Sequence, residues 1–191
     1  MGDCIIDTNV LLVASAKDPT SPFRNSDHVP AEQQQIVLDW LMEFRKDVQR
    51  KLVLDQSFKI WDEYHNQMTR GQDIGSLVVA EKLQSARFVD VDYDKNGYGC
   101  LPQELETVIH DLSDRKFVAA ALSDLANGDQ SKIVNAVDSD WCDWEAALVQ
   151  AGIVVEHLID GLCDDERQSK TKRHSGTKRQ SGSKRQGKSK R

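Results

Sequence analysis

The feature that most constrains the fold is an alternation of short strand-like runs with longer segments of helical periodicity. Strand-like runs rich in apolar residues occur at residues 4–7, 52–54, 87–91, 132–137 and 154–155. Between them, apolar side chains recur every three or four residues, the spacing of helices that bury one face. This alternation predicts an α/β fold with a mainly parallel sheet.

Helix boundaries are predicted from capping residues and from the points where the periodicity stops. Ser57 and Ser113 are expected to cap helices, because a serine hydroxyl can accept a hydrogen bond from a free amide of the first turn. Residues 18–30 contain three prolines and are predicted to form a loop. The predicted helices cover residues 31–50, 57–68, 74–85, 113–125 and 144–151, with a further piece at 105–109.

The length and the apolar content predict one domain of a cytoplasmic protein. A chain of 191 residues suits a single domain with its own core. It contains no run of roughly 18 to 20 apolar residues, the length that crosses a bilayer, and its first residues lack the basic start of a signal peptide. The sequence also lacks a glycine-rich phosphate loop and a serine-nucleophile elbow, which argues against nucleotide-cofactor enzymes and serine hydrolases.

The charge is distributed very unevenly along the chain. The net charge is −6, but eleven of the 25 Lys and Arg residues lie in residues 167–191, which contain no acid. The preceding residues therefore carry 14 bases against 31 acids, a net charge of −17. An acidic body repels a polyanion unless metal ions intervene, whereas a basic segment attracts one through counterion release.

The basic segment repeats a unit of about six residues that cannot build a core. We therefore predict a folded domain over residues 1–163 and a disordered tail rich in Lys, Arg, Ser and Gly over residues 164–191. The tail is interpreted as a nucleic-acid-binding arm; the alternatives are a solubility segment and a segment that folds back to screen the acidic body. The predicted phosphate-contacting residues are Lys170, Lys172, Arg173, Lys178, Arg179, Lys184, Arg185, Lys188, Lys190 and Arg191.

Carboxylates at the ends of predicted strands and helices are the candidates for chemistry. Hydrolysis of a phosphodiester without a covalent intermediate uses divalent ions, and hard cations such as Mg²⁺ prefer carboxylate oxygens. Asp7, Glu63, Asp114 and Asp138 lie on separate elements where they can converge, and Asp140 is a fifth candidate. Each acid taken singly is explained equally well by solvation or helix capping.

The order of four segments resembles that of PIN domains. These segments are residues 5–12, 61–64, 113–122 and 135–141, and the resemblance extends over residues 4–158. PIN domains fold as three-layer α/β/α sandwiches with a mainly parallel central sheet. They are metal-dependent nucleases that mostly cut RNA. The resemblance therefore implies an endoribonuclease that uses Mg²⁺ or Mn²⁺.

The resemblance also implies roles for individual residues. The four acids that match the family motifs are implied as catalytic metal ligands, namely Asp7, Glu63, Asp114 and Asp138. Asp140 is implied as an additional metal ligand, and Asn9 and Ser139 are implied as polar supports. Two choices stay open in the sequence: Glu63 against its neighbour Asp62, and Asp138 against Asp140.

Two function classes are compatible with these motifs. The first is an active endoribonuclease, in a toxin-like or defence-related version held in check by a protein inhibitor or antitoxin. The second is a catalytically silent PIN-like module that binds RNA or protein. The oligomeric state is open, with a homodimer as one arrangement. Retention of all four acids favours the first class.

Two further patterns have competing interpretations. Residues 92–97 copy the first half of an EF-hand calcium loop, but position 12 is Gln103 where a bidentate glutamate is required. A surface loop is therefore favoured. Trp141 follows the Asp138 motif directly, so it either packs in the core or faces a substrate.

Overall fold

A computed structural model describes residues 2–17, 29–68 and 73–164. The predicted loop at 18–30 lies almost wholly outside these residues, and the basic tail from Arg167 lies wholly outside them. The chain divides into two compact units, Met1–Asp160 and Gly161–Arg191. In the second unit the described residues are 161–164, of which residues 162–164 are helical.

The strands of the described part of the first unit are short and pair only in parallel. They are β1 (Cys4–Ile6), β2 (Val53–Asp55), β3 (Arg87–Val89), β4 (Lys132–Asn135) and β5 (Val154–His157). One sheet has the order β1-β4-β5, and β2 pairs with β3. An isolated parallel bridge between Cys4 and Leu52 connects β1 to the start of β2. The protein is thus a mixed α/β fold with a small parallel sheet, as the alternation of elements predicted.

Helices connect the strands. They are α1 (Thr8–Ser15), α2 (Ala31–Lys46), α3 (Lys59–Gln67), α4 (Ile74–Leu83), α5 (Gln103–Glu106), α6 (Arg115–Ala126) and α7 (Asp140–Gln150). Among the described residues, no helix combines the length and the apolar character that crossing a membrane requires.

The prediction that one helix continues to residue 50 is wrong. Helix α2 ends at Lys46, and Val48, which lies within the predicted helix, is 78% exposed. The chain leaves the helix because Asp47 adopts an extended conformation and its carboxylate accepts a hydrogen bond from the Gln49 amide. The buried Lys82 ammonium then binds the carbonyls of Asp47 and Arg50, at 2.6 and 2.8 Å.

The two predicted serine caps are also wrong, because aspartates take over the local hydrogen bonds. The Asp55 carboxylate, at the end of β2, accepts from the amides of Lys59 and Ile60 and caps α3 in place of Ser57. The Asp111 carboxylate accepts from both the amide and the hydroxyl of Ser113, at 2.8 and 2.6 Å. Ser113 is therefore held in the turn before α6, and Asp114 is the residue that precedes the helix.

The sheet lies in the core and fixes the position of the loops that follow it. Ile5, Ile6, Leu54, Ile133 and Val134 are fully buried, as expected for parallel strands that are covered on both faces. Strands β1 and β4 are neighbours in register, so their carboxyl ends meet at one edge. This edge is where open parallel sheets place functional groups.

Candidate functional site

Asp7 follows β1 directly and is held by two hydrogen bonds. Its side chain is 5% exposed and caps α1 by accepting a hydrogen bond from the Asn9 amide at 3.0 Å. The other carboxylate oxygen accepts from the indole Nε1 of Trp141 at 2.6 Å. Trp141 is fully buried, so the alternative in which it faces a substrate is wrong. Its indole orients Asp7 instead.

Burial makes the charged form of Asp7 costly. It raises the pKa of Asp7 to about 7, because the ionised carboxylate loses its hydration. The hydrogen bonds from Asn9 and Trp141 lower this pKa, while the negative charges of Asp138 and Glu63 raise it. The ionised carboxylate would therefore be stabilised by a cation placed beside it.

Asp114 is the second buried acid at this edge. It precedes α6 and is 8% exposed. Burial raises its pKa to about 8, and repulsion from Asp7, Asp111 and Asp138 adds to the rise, while Lys116 lowers it. No described residue donates a hydrogen bond to this carboxylate. Asp114 is thus an acid whose oxygens receive no hydrogen bond from the described part of the chain.

Asp138 is positioned by a pair of asparagines. The Asn135 side chain accepts from the Asp138 amide at 3.1 Å and donates to its carbonyl at 2.8 Å. The Asn9 side chain donates to Asn135 at 3.0 Å and accepts from the Ala136 amide at 2.9 Å. This network ties the first turn of α1 to the loop after β4. Burial raises the pKa of Asp138. The hydrogen bond from the Asp140 amide lowers this pKa, while the negative charges of Asp140 and Asp111 raise it.

Glu63 approaches the same edge from α3 and is fully engaged. One carboxylate oxygen accepts from the Thr8 hydroxyl at 2.5 Å, and the other forms an ion pair with Lys116. The Lys116 ammonium also donates to the Ser113 carbonyl. The buried Tyr64 hydroxyl donates to the Ile6 carbonyl at 2.5 Å and so fastens α3 to the end of β1.

The remaining predicted site residues lie at the start of α7. Asp140 is exposed, and its backbone amide donates to the Asp138 carboxylate at 2.9 Å. Ser139 is the residue before the helix, and its side chain makes no capping hydrogen bond. Asn9 supports the site through the network described above. The roles of Asp140 and Ser139 stay predictions.

The acids interact electrostatically without forming a closed cage. The negative charge of Asp138 raises the pKa of both Asp7 and Asp114, and the charge of Asp7 also raises the pKa of Asp114. Within residues 2–17, 29–68 and 73–164, no three carboxylates bring their oxygens within 4.8 Å of one another. Mg²⁺ commonly keeps several water ligands and binds through one or two carboxylates, so this arrangement still fits such an ion. The donors are hard oxygens, and negative charge is in excess.

Several residues of the site were not singled out from the sequence. They are Thr8, Asp111, Lys116 and Asn135. Thr8, Lys116 and Asn135 all lie inside the segments that resemble PIN motifs, so their proximity to the acids was a usable signal. Asp111 lies in the turn before Asp114, and its role depends on the geometry of that turn.

Comparisons with protein-family models, curated proteins and solved structures find no match for this chain. The resemblance to PIN domains stays a prediction.

The raised pKa of Asp114 predicts a pH dependence of stability in the presence of EDTA. Below pH about 4 an aspartate is protonated in both the folded and the unfolded chain and contributes nothing. Between pH 4 and 8 the unfolded chain releases this proton while the folded protein retains it, so rising pH favours unfolding. We expect the free energy of unfolding to fall by up to about 1.4 kcal/mol per pH unit from this one group.

The matched comparison is Asp114→Asn, which cannot titrate. Denaturant unfolding measured at pH 5, 6, 7 and 8 should show a smaller loss of stability in the variant than in the wild type. Parallel pH profiles for the two proteins would contradict the assignment of a buried, metal-accessible carboxylate at this position.

Proposed function

We propose that this protein is a metal-dependent endoribonuclease that hydrolyses RNA phosphodiester bonds at the edge formed by β1 and β4. The observation that carries the proposal is the pair of buried acids Asp7 and Asp114, whose pKa values are raised to about 7 and 8. Buried ionised groups are costly unless a counterion compensates them. In the described part of the chain, the cation at this edge is Lys116, which is paired with Glu63.

Each side chain has a definite task in this proposal. Asp7, Asp114 and Asp138 would hold Mg²⁺ or Mn²⁺. A bound ion of this kind activates water and neutralises charge on the phosphate. Trp141 and Asn9 fix the orientation of Asp7, so that its oxygens need no rearrangement when they bind. Glu63 and Asp140 would complete the ligand set from either side.

The PIN-like three-layer α/β/α arrangement is part of the same proposal. It is supported by the parallel pairing of the strands and by the position of Asp7 and Asp138 after the neighbouring strands β1 and β4. RNA as the substrate follows from the motif resemblance. The cytoplasmic location, the toxin-like or defence-related role, the inhibitor or antitoxin and the homodimer remain hypotheses from the sequence.

One observation favours the second function class, a catalytically silent module that binds RNA or protein. Both oxygens of Glu63 are already engaged, by Thr8 and by Lys116. If Lys116 stays paired with Glu63 when RNA binds, a metal ion has to compete with the Lys116 ammonium for the Glu63 carboxylate. Metal binding at Glu63 is then weakened. Binding without cleavage would then be the activity of the site.

Cleavage assays with the full-length protein separate the two classes. We expect cleavage of a single-stranded RNA in Mn²⁺ or Mg²⁺ and none in EDTA. Mn²⁺ should also raise the thermal unfolding temperature more at pH 8, where Asp7 is mostly ionised and Asp114 about half ionised, than at pH 5. RNA binding without cleavage in any divalent ion, and without stabilisation by Mn²⁺, would favour the silent module.

A further inference from the structure

A cavity of about 390 Å³ lies beside the acidic edge and has no role in the mechanism above. It is open to solvent and lined by α3, by the loop 97–99 and by the turn before α6. The side chains that matter for its chemistry are Lys59, Asp62, Asn66, Gln67, Tyr98 and Lys116. Its volume lies within the range of roughly 300 to 1,000 Å³ that is typical of small-ligand pockets, near the lower end. One nucleotide fits a space of this size.

The loop that forms one wall is held firmly in place. The Asp94 carboxylate accepts hydrogen bonds from the amides of Asn96 and Tyr98, at 2.8 and 2.9 Å. The EF-hand-like run thus uses this carboxylate to stabilise its own turn, as a surface loop does. Gly99 packs against the first turn of α6, where a Cβ atom would lie 2.8 Å from the Arg115 carbonyl oxygen. The cavity is therefore preformed.

The charges around the cavity are balanced in pairs. Lys116 is bound to Glu63, and Lys59 lies on the same wall as Asp62. Among the described residues, none forms an ion pair with Lys59, and its ammonium extends over the turn at Gly97. A balanced wall of this kind gives no net attraction for a run of bare phosphates. It suits a ligand that combines one phosphate with uncharged groups.

The uncharged part of the wall matches a nucleobase. The Tyr98 side chain is 37% exposed at the cavity and presents an aromatic ring on which a base can stack. Asn66 and Gln67 are exposed on α3 and each offers both a donor and an acceptor, as the edge of a base requires. A stacking surface, side-chain amides and one available ammonium are the groups that bind the base and the phosphate of a nucleotide.

The cavity is continuous with the proposed catalytic edge. Glu63 and Ser113 line it, and Glu63 also acts electrostatically on Asp7. Ser113 directly precedes Asp114. A strand that occupies the cavity with one nucleotide therefore continues towards the acids with the next phosphate.

We propose that this cavity is a nucleotide subsite, in which Tyr98 stacks on a base of single-stranded RNA and Lys59 contacts its phosphate. The subsite rests on the proposed function for the position of the scissile bond, but nucleotide binding itself does not depend on cleavage. It adds a specificity element beside the metal-binding acids.

Binding of a fluorescein-labelled RNA hexanucleotide to the full-length protein in EDTA tests the stacking. We expect Tyr98→Ala to raise Kd about tenfold at 150 mM salt, since stacking on an aromatic ring contributes strongly to binding of single strands. Tyr98→Phe keeps the ring and should bind like the wild type. The basic tail is the same in every variant, so its contribution cancels in the comparison.

A ligand that lacks bases gives an independent check. An abasic hexanucleotide should bind the wild type and Tyr98→Ala equally, because no base remains to stack. If Tyr98→Ala binds the normal hexanucleotide as tightly as the wild type does, the subsite is wrong. Equal losses for the normal and abasic ligands would also overturn it, since they indicate a general folding defect.

The phosphate contact is tested with a matched pair of lysines. Lys59→Gln should make the dependence of log Kd on log salt shallower by about 0.7, the loss of one single-strand phosphate contact. Lys51→Gln, an exposed lysine at the opposite end of β2, should leave the slope unchanged. If log Kd depends on log salt with the same slope in both variants, Lys59 does not contact the phosphate.

Failure of the subsite and failure of the nuclease are distinguishable. If the protein cleaves RNA in a divalent ion and Tyr98→Ala binds RNA as the wild type does, the proposed nuclease is supported and the proposed subsite is wrong. Binding that depends on Tyr98, in a protein that never cleaves, would support the subsite and favour the silent module.

Discussion

Replacement of Asp114 by asparagine is expected to reduce metal-dependent RNA cleavage by about 100-fold or more, and to leave the protein folded. The acid supplies a charged oxygen to the ion that neutralises the phosphate in the transition state, and an amide oxygen is a weaker ligand for a hard cation. The measurement is the initial rate of cleavage of one RNA at several Mn²⁺ concentrations.

Asp114→Asn and Asp7→Asn should differ in their effect on the free energy of unfolding. The structure shows no hydrogen bond to the Asp114 side chain from a described residue, so Asp114→Asn removes a costly buried charge and should raise stability at pH 8 in EDTA. Asp7 accepts two hydrogen bonds, from Asn9 and Trp141. Asp7→Asn can accept only one of these two hydrogen bonds. It should abolish cleavage, and its free energy of unfolding should rise less than that of Asp114→Asn, or fall.

Asp90→Asn is the matched control. Asp90 is an exposed aspartate directly after β3, the strand that pairs with β2 on the side away from β1. The variant carries the same chemical change and should cleave RNA at the wild-type rate. If Asp114→Asn and Asp7→Asn cut as fast as Asp90→Asn does, the cleavage comes from another site or from a contaminant.

The sequence predicted the strands well because their signal is local. Buried parallel strands consist of short apolar runs, so β1, β2 and β4 were found within one or two residues. Their shared direction follows from the helices between them. The position of Asp7 and Asp138 at one edge is then a consequence of topology, and it needs no knowledge of side-chain contacts.

Helix ends and side-chain partners were harder to predict from the sequence, because several groups compete for the same hydrogen bonds. Ser57 and Ser113 have capping chemistry, but Asp55 and Asp111 are stronger acceptors in positions that only the folded turns reveal. An aspartate that ends a strand can therefore cap the next helix. Local propensity does not rank these alternatives.

Contacts between distant segments could not be predicted. Trp141 binds Asp7 across 134 positions of sequence, and Thr8 binds Glu63 across 55. The close approach of Gly99 to Arg115, which closes the wall of the cavity, likewise has no signature in either segment. Such contacts depend on the relative placement of helices on the sheet, which periodicity alone does not determine.

Removal of residues 167–191 is expected to weaken RNA binding strongly at low salt. These residues contain eleven Lys and Arg and no acid, so each phosphate contact that they make releases counterions. Without them, the slope of log Kd against log salt should become shallower by about 0.7 for each lost contact. The rate of cleavage at saturating RNA should stay the same, because the proposed metal ligands all lie within Met1–Asp160.

A tail of the same length, in which every Lys and Arg is replaced by Gln, is the control for length alone. It should behave like the deletion if charge is what binds RNA, and like the wild type if the tail acts only as a spacer. Faster turnover of short substrates after truncation would instead mean that the tail screens the acidic edge, since a competing polycation would have been removed from it. An unchanged salt slope in both altered proteins would show that the tail contacts no phosphates. The metal site and the cavity beside Glu63 would then have to hold RNA against the repulsion of a body with a net charge of −17.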